Sequence, residues 1–213
     1  GSSDAVVNYS SGSGSNTLTF NYTVDLAHNS VALDYKATNS LVLNNGAIND
    51  SVLNAAILAL PTPGAANSLA GNKALIVDNT GPTITITASN GINAVADSSR
   101  SQDTSLMITF YGSEAIADFN ADSINVIGGK LTDFSATSAT VYTATLTPTM
   151  DIDTVYYGGT YIEILANKFR DALGNYNADT SLFNWTYDIA DPPCVSALTG
   201  RAMAWVFLIK ESP

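Results

Sequence analysis

Residues that bind metals through nitrogen or sulfur are almost missing from this 213-residue chain. It contains one cysteine, Cys194, and one histidine, His28. No intrachain disulfide, Cys/His zinc site or Cys–His dyad can therefore form within it. His28 lies near Asp25 and Ser30 in the sequence, but no nucleophile elbow or oxyanion loop accompanies these residues. We therefore interpret His28 as a surface histidine and predict that the chain is not an enzyme.

Positive charge is also scarce. Lys and Arg total 8 against 19 Asp and Glu, which gives a net charge of -11. This balance excludes the basic surface that nucleic-acid-binding proteins use. Only Glu114, Glu163 and Glu211 are glutamates, so nearly all of the acidic residues are aspartates, which form turns and bind hard cations. Such a composition suits a calcium-rich exterior.

Long hydrophobic runs are missing too. The longest, Ala202–Ile209, is far short of the ~20 apolar residues that span a membrane. The first residues, Gly1–Asp4, are polar and lack the apolar core of a signal peptide. We therefore expect the chain to be an internal piece of a larger protein, with no membrane span of its own.

A repeated boundary pattern organises what is present. The apolar run Ala74–Val77 is followed by Asp78-Asn79-Thr80-Gly81-Pro82, and Trp185–Tyr187 is followed by Asp188 and then Pro192. Proline fixes φ and cannot donate to a sheet, so a strand, an aspartate and a proline in this order indicate a joint between modules. A surface loop inside one domain is the alternative. A pattern that recurs along a chain favours the joint, and with it a tandem array.

Alternating apolar residues predict an all-β chain. In the first module Leu18, Phe20, Tyr22 and Val24 share one parity, which predicts a half-buried strand over residues 17–24. Further strands are predicted near 31–35, 41–43, 55–60 and 74–77. About 75 residues is short for a sandwich, which usually needs about 100. We therefore expect this module to lack its opening strands and to expose an edge or an apolar face.

The second module is predicted to be a seven-stranded sandwich. Turn signals separate strands near 83–88, 106–110, 123–127, 130–134, 142–146, 162–164 and 183–187. The segment Ala96–Ser101 is predicted to be a polar loop, and 154–157 could add an edge strand. The predicted core includes Phe110, Leu146, Ile164 and Trp185.

The second module also resembles a known family. The runs Ile108-Thr109-Phe110, Ser113-Glu114-Ala115-Ile116 and Asp122-Ser123-Ile124-Asn125-Val126, with Gly128-Gly129-Lys130-Leu131, Tyr142–Pro148 and Asp171-Ala172-Leu173-Gly174-Asn175, resemble the bacterial Ig-like domains repeated in large surface and adhesin proteins. The first module resembles a sister repeat through Asn8–Gly14, Leu18–Val24 and Leu33-Asp34-Tyr35. There the Asp-x-x-Gly-Asn turn is degraded to Asp50-Ser51-Val52-Leu53-Asn54.

This resemblance implies two tandem Ig-like β-sandwich modules, the first of them truncated at its N-terminus. We predict an incomplete module over 1–79, a complete one over 80–190 and a tail over 191–213. The function implied is a non-enzymatic stalk segment of an extracellular bacterial surface protein. Its partners would be neighbouring repeats of the same parent chain, with surface glycans or proteins as further candidates.

Strand direction predicts one candidate metal site. If the strands of the second module alternate in direction, the entering linker and the loops after the second and sixth strands share one pole. The residues brought together there are Asp78, Glu114, Asp171 and Asn175, and the equivalent exit pole would use Asp188 and Asp191. Calcium takes six to eight oxygen ligands, so an ion here would stiffen the joint. Alternatively, Asp171–Asn175 is only a turn.

A carbohydrate-binding accessory module of a secreted polysaccharide enzyme is the alternative function. Tyr156, Tyr157 and Tyr161 could form a platform on which a sugar stacks, because tyrosine combines an apolar face with a polar tip. Tyrosines of this kind also cover sheet faces in purely structural modules.

Overall fold

The structure, a computed structural model, describes residues 4–149 and 159–188. Its backbone contacts form two compact units. The first contains the chain up to Thr83 together with Gly112–Phe119 and Ala166–Asp179. The second contains the other described residues. The predicted tail at 191–213 and the possible edge strand at 154–157 lie outside the described residues.

A five-stranded sheet forms one layer of the second unit, with strand order β4-β3-β6-β9-β8. Its strands are β3 (Ile84–Ser89), β4 (Ala94–Val95), β6 (Leu106–Gly112), β8 (Gly129–Ala136) and β9 (Val141–Pro148). Tight turns join β3 to β4 and β8 to β9, and both pairs are antiparallel.

A four-stranded sheet forms the other layer, in the order β5-β11-β10-β7. Its strands are β5 (Ser99–Ser101), β7 (Asn125–Ile127), β10 (Gly159–Ile164) and β11 (Ser181–Tyr187). The Ser181 hydroxyl on β11 donates to the Ile84 carbonyl of β3 at 2.6 Å, which ties the two sheets together.

The core lies between these two sheets, where one parity of each strand points inward. Phe110, Leu146, Ile164 and Trp185 are all buried, as their alternation with polar residues predicted. Their neighbours include Leu106, Ile108, Ile162 and Phe183. The predictions of an all-β fold, a sandwich and this core are therefore confirmed, while the division into tandem modules at 79/80 stays a prediction.

The prediction of a polar loop at Ala96–Ser101 is wrong in part. Ser99–Ser101 forms β5, which pairs in parallel with Trp185–Tyr187. The Trp185 indole Nε1–H donates to the Ser101 hydroxyl at 3.0 Å, which satisfies the one polar group of that buried ring. A three-residue polar strand at a sheet edge carries no hydrophobic alternation, so the sequence did not reveal it.

Strand structure is sparse in the first unit. The predicted strand over 17–24 is reduced to β2 (Thr19–Phe20), which pairs with β1 (Tyr9–Ser11). The register shifts between Tyr9 and Ser11, so the pairing does not extend. A two-stranded ribbon of this kind is only marginally stable without a further layer.

Of the other strands predicted for this region, 55–60 and 74–77 each contain one residue of an isolated bridge, and 31–35 and 41–43 contain none. Ser30 bridges Val77 and Asn49 bridges Ala55. The one helix, α1 (Leu69–Asn72), is capped by Ser68, whose side chain accepts from the Gly71 N–H. Among residues 4–80, Ser68 alone is buried, while Val31 and Ile57 are each more than nine-tenths exposed. In the described residues, no helix is both long enough and apolar enough to cross a membrane.

Candidate functional site

Three carboxylates of the first unit converge. Asp78, Glu114 and Asp171 each offer an oxygen atom, and these atoms all lie within 4.8 Å of one another. Asp78 ends the segment that bridges Ser30, Glu114 follows β6, and Asp171 lies in the turn between β10 and β11. The structure therefore brings together three of the four residues that strand direction assigned to one pole, and the fourth, Asn175, bonds to Asp171.

Asp171 is fixed by the turn that it begins. Its Oδ1 accepts from the N–H groups of Leu173 and Asn175, at 2.8 and 2.9 Å, and its Oδ2 accepts from Asn175 Nδ2 at 2.8 Å. Gly174 takes φ +97°, a conformation that side chains disfavour. Asp171 is only 5% exposed, so this turn holds a nearly buried carboxylate. We call residues 171–175 the second corner, because a similar turn occurs earlier in the chain.

The loop that carries Glu114 is pinned to this corner. The Ala117 N–H donates to the Arg170 carbonyl at 2.9 Å, while Arg170 donates from its backbone N–H and its Nε to the Asp118 carboxylate. The next residue of the loop, Phe119, packs its ring edge to face against that of Phe169, with the centroids 5.3 Å apart. These contacts set the position of Glu114 relative to Asp171.

The linker Asp78–Pro82 lies directly on the second corner. Asn175 Nδ2 donates to the Asp78 carbonyl at 3.0 Å. Three residues later, a Cβ on Gly81 would lie 1.9 Å from the Tyr176 carbonyl oxygen, so only glycine allows this approach. Asn175, predicted as a metal ligand, therefore binds the linker backbone through its amide nitrogen.

A second set of contacts holds the linker through Asn79. Its N–H donates to Asn29 Oδ1 at 2.7 Å, and its Nδ2 donates to the carbonyls of Asp25 and His28. His28 takes part in the same turn, because its Nδ1 interacts with the Tyr22 hydroxyl and the Asp25 N–H. His28 therefore helps to hold the linker through its carbonyl and through its place in this turn.

The negative charges at the site repel one another. Burial and the nearby charges of Asp78 and Asp171 raise the pKa of Glu114 above its ordinary value. Burial also acts to raise the pKa of Asp171, but the hydrogen bonds from Asn175, Leu173 and Gly174 outweigh it and leave the pKa lowered. The ionised form of Glu114 is therefore disfavoured in this site, whereas that of Asp171 is favoured.

Such an arrangement of oxygens suits a hard cation. Calcium–oxygen distances of about 2.3–2.6 Å place two ligands on opposite sides of an ion about 5 Å apart, which three atoms within 4.8 Å can satisfy. Carbonyl groups or water would complete the six to eight ligands that calcium takes. The chemistry available is cation binding and charge neutralisation.

The residues assigned to the exit pole have different surroundings. The Asp188 carboxylate lies 3.7 Å from the Arg100 guanidinium, and its backbone N–H donates to the Ser101 carbonyl. Asp191 lies outside the described residues. A metal-binding role for either residue stays a prediction.

Several residues that shape the site were missed by sequence reasoning. Asn79 and the Arg170–Asp118 pair hold the linker and the Glu114 loop, and Asn177 is buried while accepting from the N–H groups of Lys168 and Phe169. Their partners are distant in sequence or are backbone groups, so residue spacing gave no signal. The close approach of Gly81 could have been suspected, because a Gly-Pro pair follows the aspartate.

A matching corner occurs earlier in the chain. Asp50 Oδ1 accepts from the N–H groups of Val52 and Asn54, at 2.9 and 2.8 Å, and Asp50 Oδ2 accepts from Asn54 Nδ2 at 2.8 Å. Leu53, at φ +68°, takes the place of the glycine. The turn that the sequence suggested was degraded therefore keeps its hydrogen bonds. We call residues 50–54 the first corner.

Comparison with known proteins identifies the sandwich. No curated protein and no solved structure gave a significant match to the chain. The family model described as bacterial Ig-like domain matches residues 78–187, which is more than half of the chain. The matched range begins at the linker aspartate and ends with the last residue of β11. The chain therefore belongs to the bacterial Ig-like domain family.

Proposed function

We propose that this chain is a non-enzymatic stalk segment of a large extracellular bacterial surface protein. Bacterial Ig-like domains are a non-catalytic type of module and are typically found in surface or extracellular proteins. The segment would connect neighbouring Ig-like repeats of the same parent chain. Its work would be mechanical, since it would project a binding region away from the cell.

The repetition of one corner carries this proposal. In both corners the aspartate N–H donates to the asparagine carbonyl, at 2.9 Å in the first and 3.1 Å in the second. In both, the residue two after the asparagine donates to the carbonyl two before the aspartate: Ala56 to Ile48, and Asn177 to Phe169. Together with the three bonds to each carboxylate, five hydrogen bonds recur in the same register. The recurrence of this set at the same spacing in one chain supports a tandem array.

Contacts of the linker support a mechanical role. Asn79 is held by the turn that contains Asp25 and His28, while Asp78 and Gly81 lie against the second corner. The linker therefore makes specific contacts on both sides, whereas a flexible tether would be exposed and rich in glycine and serine. Such contacts limit the number of conformations open to the joint.

We further propose that calcium binds at Asp78, Glu114 and Asp171. Three carboxylates close together repel one another, and the pKa of Glu114 is raised by burial first and then by the charges of Asp78 and Asp171. A divalent cation would replace this repulsion with attraction. Binding would add RT ln(1 + [L]/Kd) to the free energy of unfolding, which is about 2.7 kcal/mol at a hundred times Kd.

A matched pair of variants tests the calcium site. The full chain should melt at a higher temperature in millimolar calcium than in chelator. Asp171→Asn should abolish most of this rise, because it removes a charged ligand. Asp50→Asn makes the same change in the same kind of turn, but Asp50 is outside the cluster, so this variant should keep the rise.

The two variants also separate calcium binding from simple turn stability. In chelator, each variant loses the bond that the carboxylate accepts from the asparagine amide, but Asp171→Asn also relieves the repulsion from Asp78 and Glu114. The comparison therefore uses the change in melting temperature between calcium and chelator for each variant. An equal calcium response in both variants would contradict the site. Saturable binding of a polysaccharide that depends on Tyr161 would favour the alternative, a carbohydrate-binding module.

A further inference from the structure

We propose that the first corner is a docking site for the end of another Ig-like module, which arrives as an extended Asp-x-x-Gly-Pro segment. This inference rests on the proposed function, because it requires a neighbouring module. Beyond the proposed function, we specify which surface receives the neighbouring module, which groups make the contact and which sequence the incoming segment must have.

The second corner shows how such a segment is held. Asn175 Nδ2 bonds to Asp171 Oδ2 and also to the carbonyl of Asp78, at 2.8 and 3.0 Å. The linker then passes so close to the Tyr176 carbonyl that position 81 must be glycine. The recognition elements are thus one side-chain amide and one backbone carbonyl beside it.

In the first corner the equivalent groups are exposed. Asn54 Nδ2 donates to Asp50 Oδ2 in the same way, and the amide is on the surface. Asn49 bridges Ala55 as Arg170 bridges Tyr176, so Ala55 occupies the position of Tyr176. In this bridge the hydrogen bonds are made by Asp50, Asn54, Ile48 and Ala56, as in the second corner. The backbone N–H and C=O groups of Ala55 therefore point away from Asn49 on the opposite segment, as those of Tyr176 point away from Arg170.

Strain in the first corner also suggests that its shape matters. Leu53 adopts φ +68°, a left-handed conformation that is unfavourable for a residue with a side chain. An exposed turn could relax to avoid this conformation, yet all five hydrogen bonds are kept. The geometry that receives a linker is therefore present in the first corner without one.

The incoming segment must meet a defined sequence requirement. It needs a carbonyl for the Asn54 amide, and glycine three residues later to pass the Ala55 carbonyl. The linker Asp78–Pro82 meets it, with Gly81 at the third position. The other boundary of this chain, Asp188–Pro192, has Asp191 at that position. A Cβ there would overlap the carbonyl oxygen, so that boundary should not dock.

A peptide with the sequence of residues 74–84 tests the proposal. It would be titrated to 10 mM into the ¹⁵N-labelled full chain in 150 mM salt, which screens the repulsion between its aspartate and Asp50. We expect saturable chemical-shift changes at the Asn54 side-chain amide and along residues 50–56. A peptide with the Gly81→Ala substitution should bind at least tenfold more weakly.

Two chain variants provide the controls. Asn54→Ala should remove the binding, because it removes the donor. Asn175→Ala should leave it intact, because that amide belongs to the other corner. No shift in the first corner at 10 mM peptide, or equal binding of the Gly81→Ala peptide, would overturn the proposal. Shifts confined to Asn175 would do the same, because they would show exchange with the chain's own linker.

The outcome is independent of the calcium experiment. If the peptide fails to bind while calcium stabilises the chain through Asp171, the docking site is ruled out and the calcium site is supported. If the peptide binds the first corner but calcium has no effect, the docking surface stands and the metal site falls.

Discussion

The sandwich and the N-terminal 80 residues have similar patterns of strand-forming and turn-forming residues, but they differ in how many apolar side chains are buried. In the sandwich, two sheets cover each other and Trp185 is 1% exposed. In residues 4–80 many valines, leucines and isoleucines are exposed and the sheet pairing is short. The first and second corners nevertheless share their hydrogen bonds. Local turn chemistry therefore forms in both regions, whereas burial depends on having a second layer.

The largest expected effect tests this difference in burial. Trp185→Ala should destabilise the protein by about 3–5 kcal/mol, because it removes a buried ring and leaves a cavity. It also removes the indole bond to Ser101. Ile57→Ala, at a side chain that is 92% exposed, should change the free energy of unfolding by less than about 0.5 kcal/mol. Denaturant titration of both variants makes the measurement, and similar losses would show that the two regions do not differ as described.

The next effect compares the two corners directly. Gly174→Ala places a side chain at φ +97° and should cost about 1–2 kcal/mol. Leu53→Gly removes the equivalent strain, although glycine has a greater entropy cost on folding, so we expect a net gain below about 1 kcal/mol. Thermal unfolding would give both values. A loss of stability on Leu53→Gly would mean that the leucine side chain contributes more than its strain costs.

The smallest expected effect concerns Glu114 and pH. Its pKa is raised in the folded state, so the stability that it contributes is present below its ordinary pKa of about 4.3 and is lost as pH rises through the raised value. Glu114→Gln should therefore gain stability relative to the parent over that rise, by less than about 1 kcal/mol. Melting curves from pH 4 to 7 in chelator measure it.

The opposite slope is expected from Asp171. Its pKa is lowered, so its contribution is present above its ordinary pKa and is lost as pH falls through the lowered value. The pH range over which Glu114 changes stability lies above the ordinary pKa of a carboxyl group, and the range for Asp171 lies below it. A pH-independent difference between Glu114→Gln and the parent would contradict the raised pKa of Glu114, which has burial and the two neighbouring charges as its causes.

Much of the sandwich could be predicted because its strands alternate clearly. Seven predicted strands correspond to β3 and β6–β11, and the four predicted core residues are buried. Residues Thr17–Val24 alternate equally well, yet only Thr19–Phe20 forms a strand there. Alternation reports which face of a strand could be buried, and it does not report whether a layer exists to bury it.

By itself, the sequence determined the local chemistry of this protein: its strand periods, the aspartates that begin its turns and the linker between apolar runs. It also placed three acids at one pole through strand direction alone. Tertiary structure decided what those groups contact. Asn175 binds the linker carbonyl, Asn79 binds the turn at His28, and β5 pairs with β11. These contacts join positions far apart in the chain, mostly through backbone atoms that every residue has. The asparagine donors can be read from the sequence, but their backbone acceptors cannot, so only the folded arrangement decides these pairings.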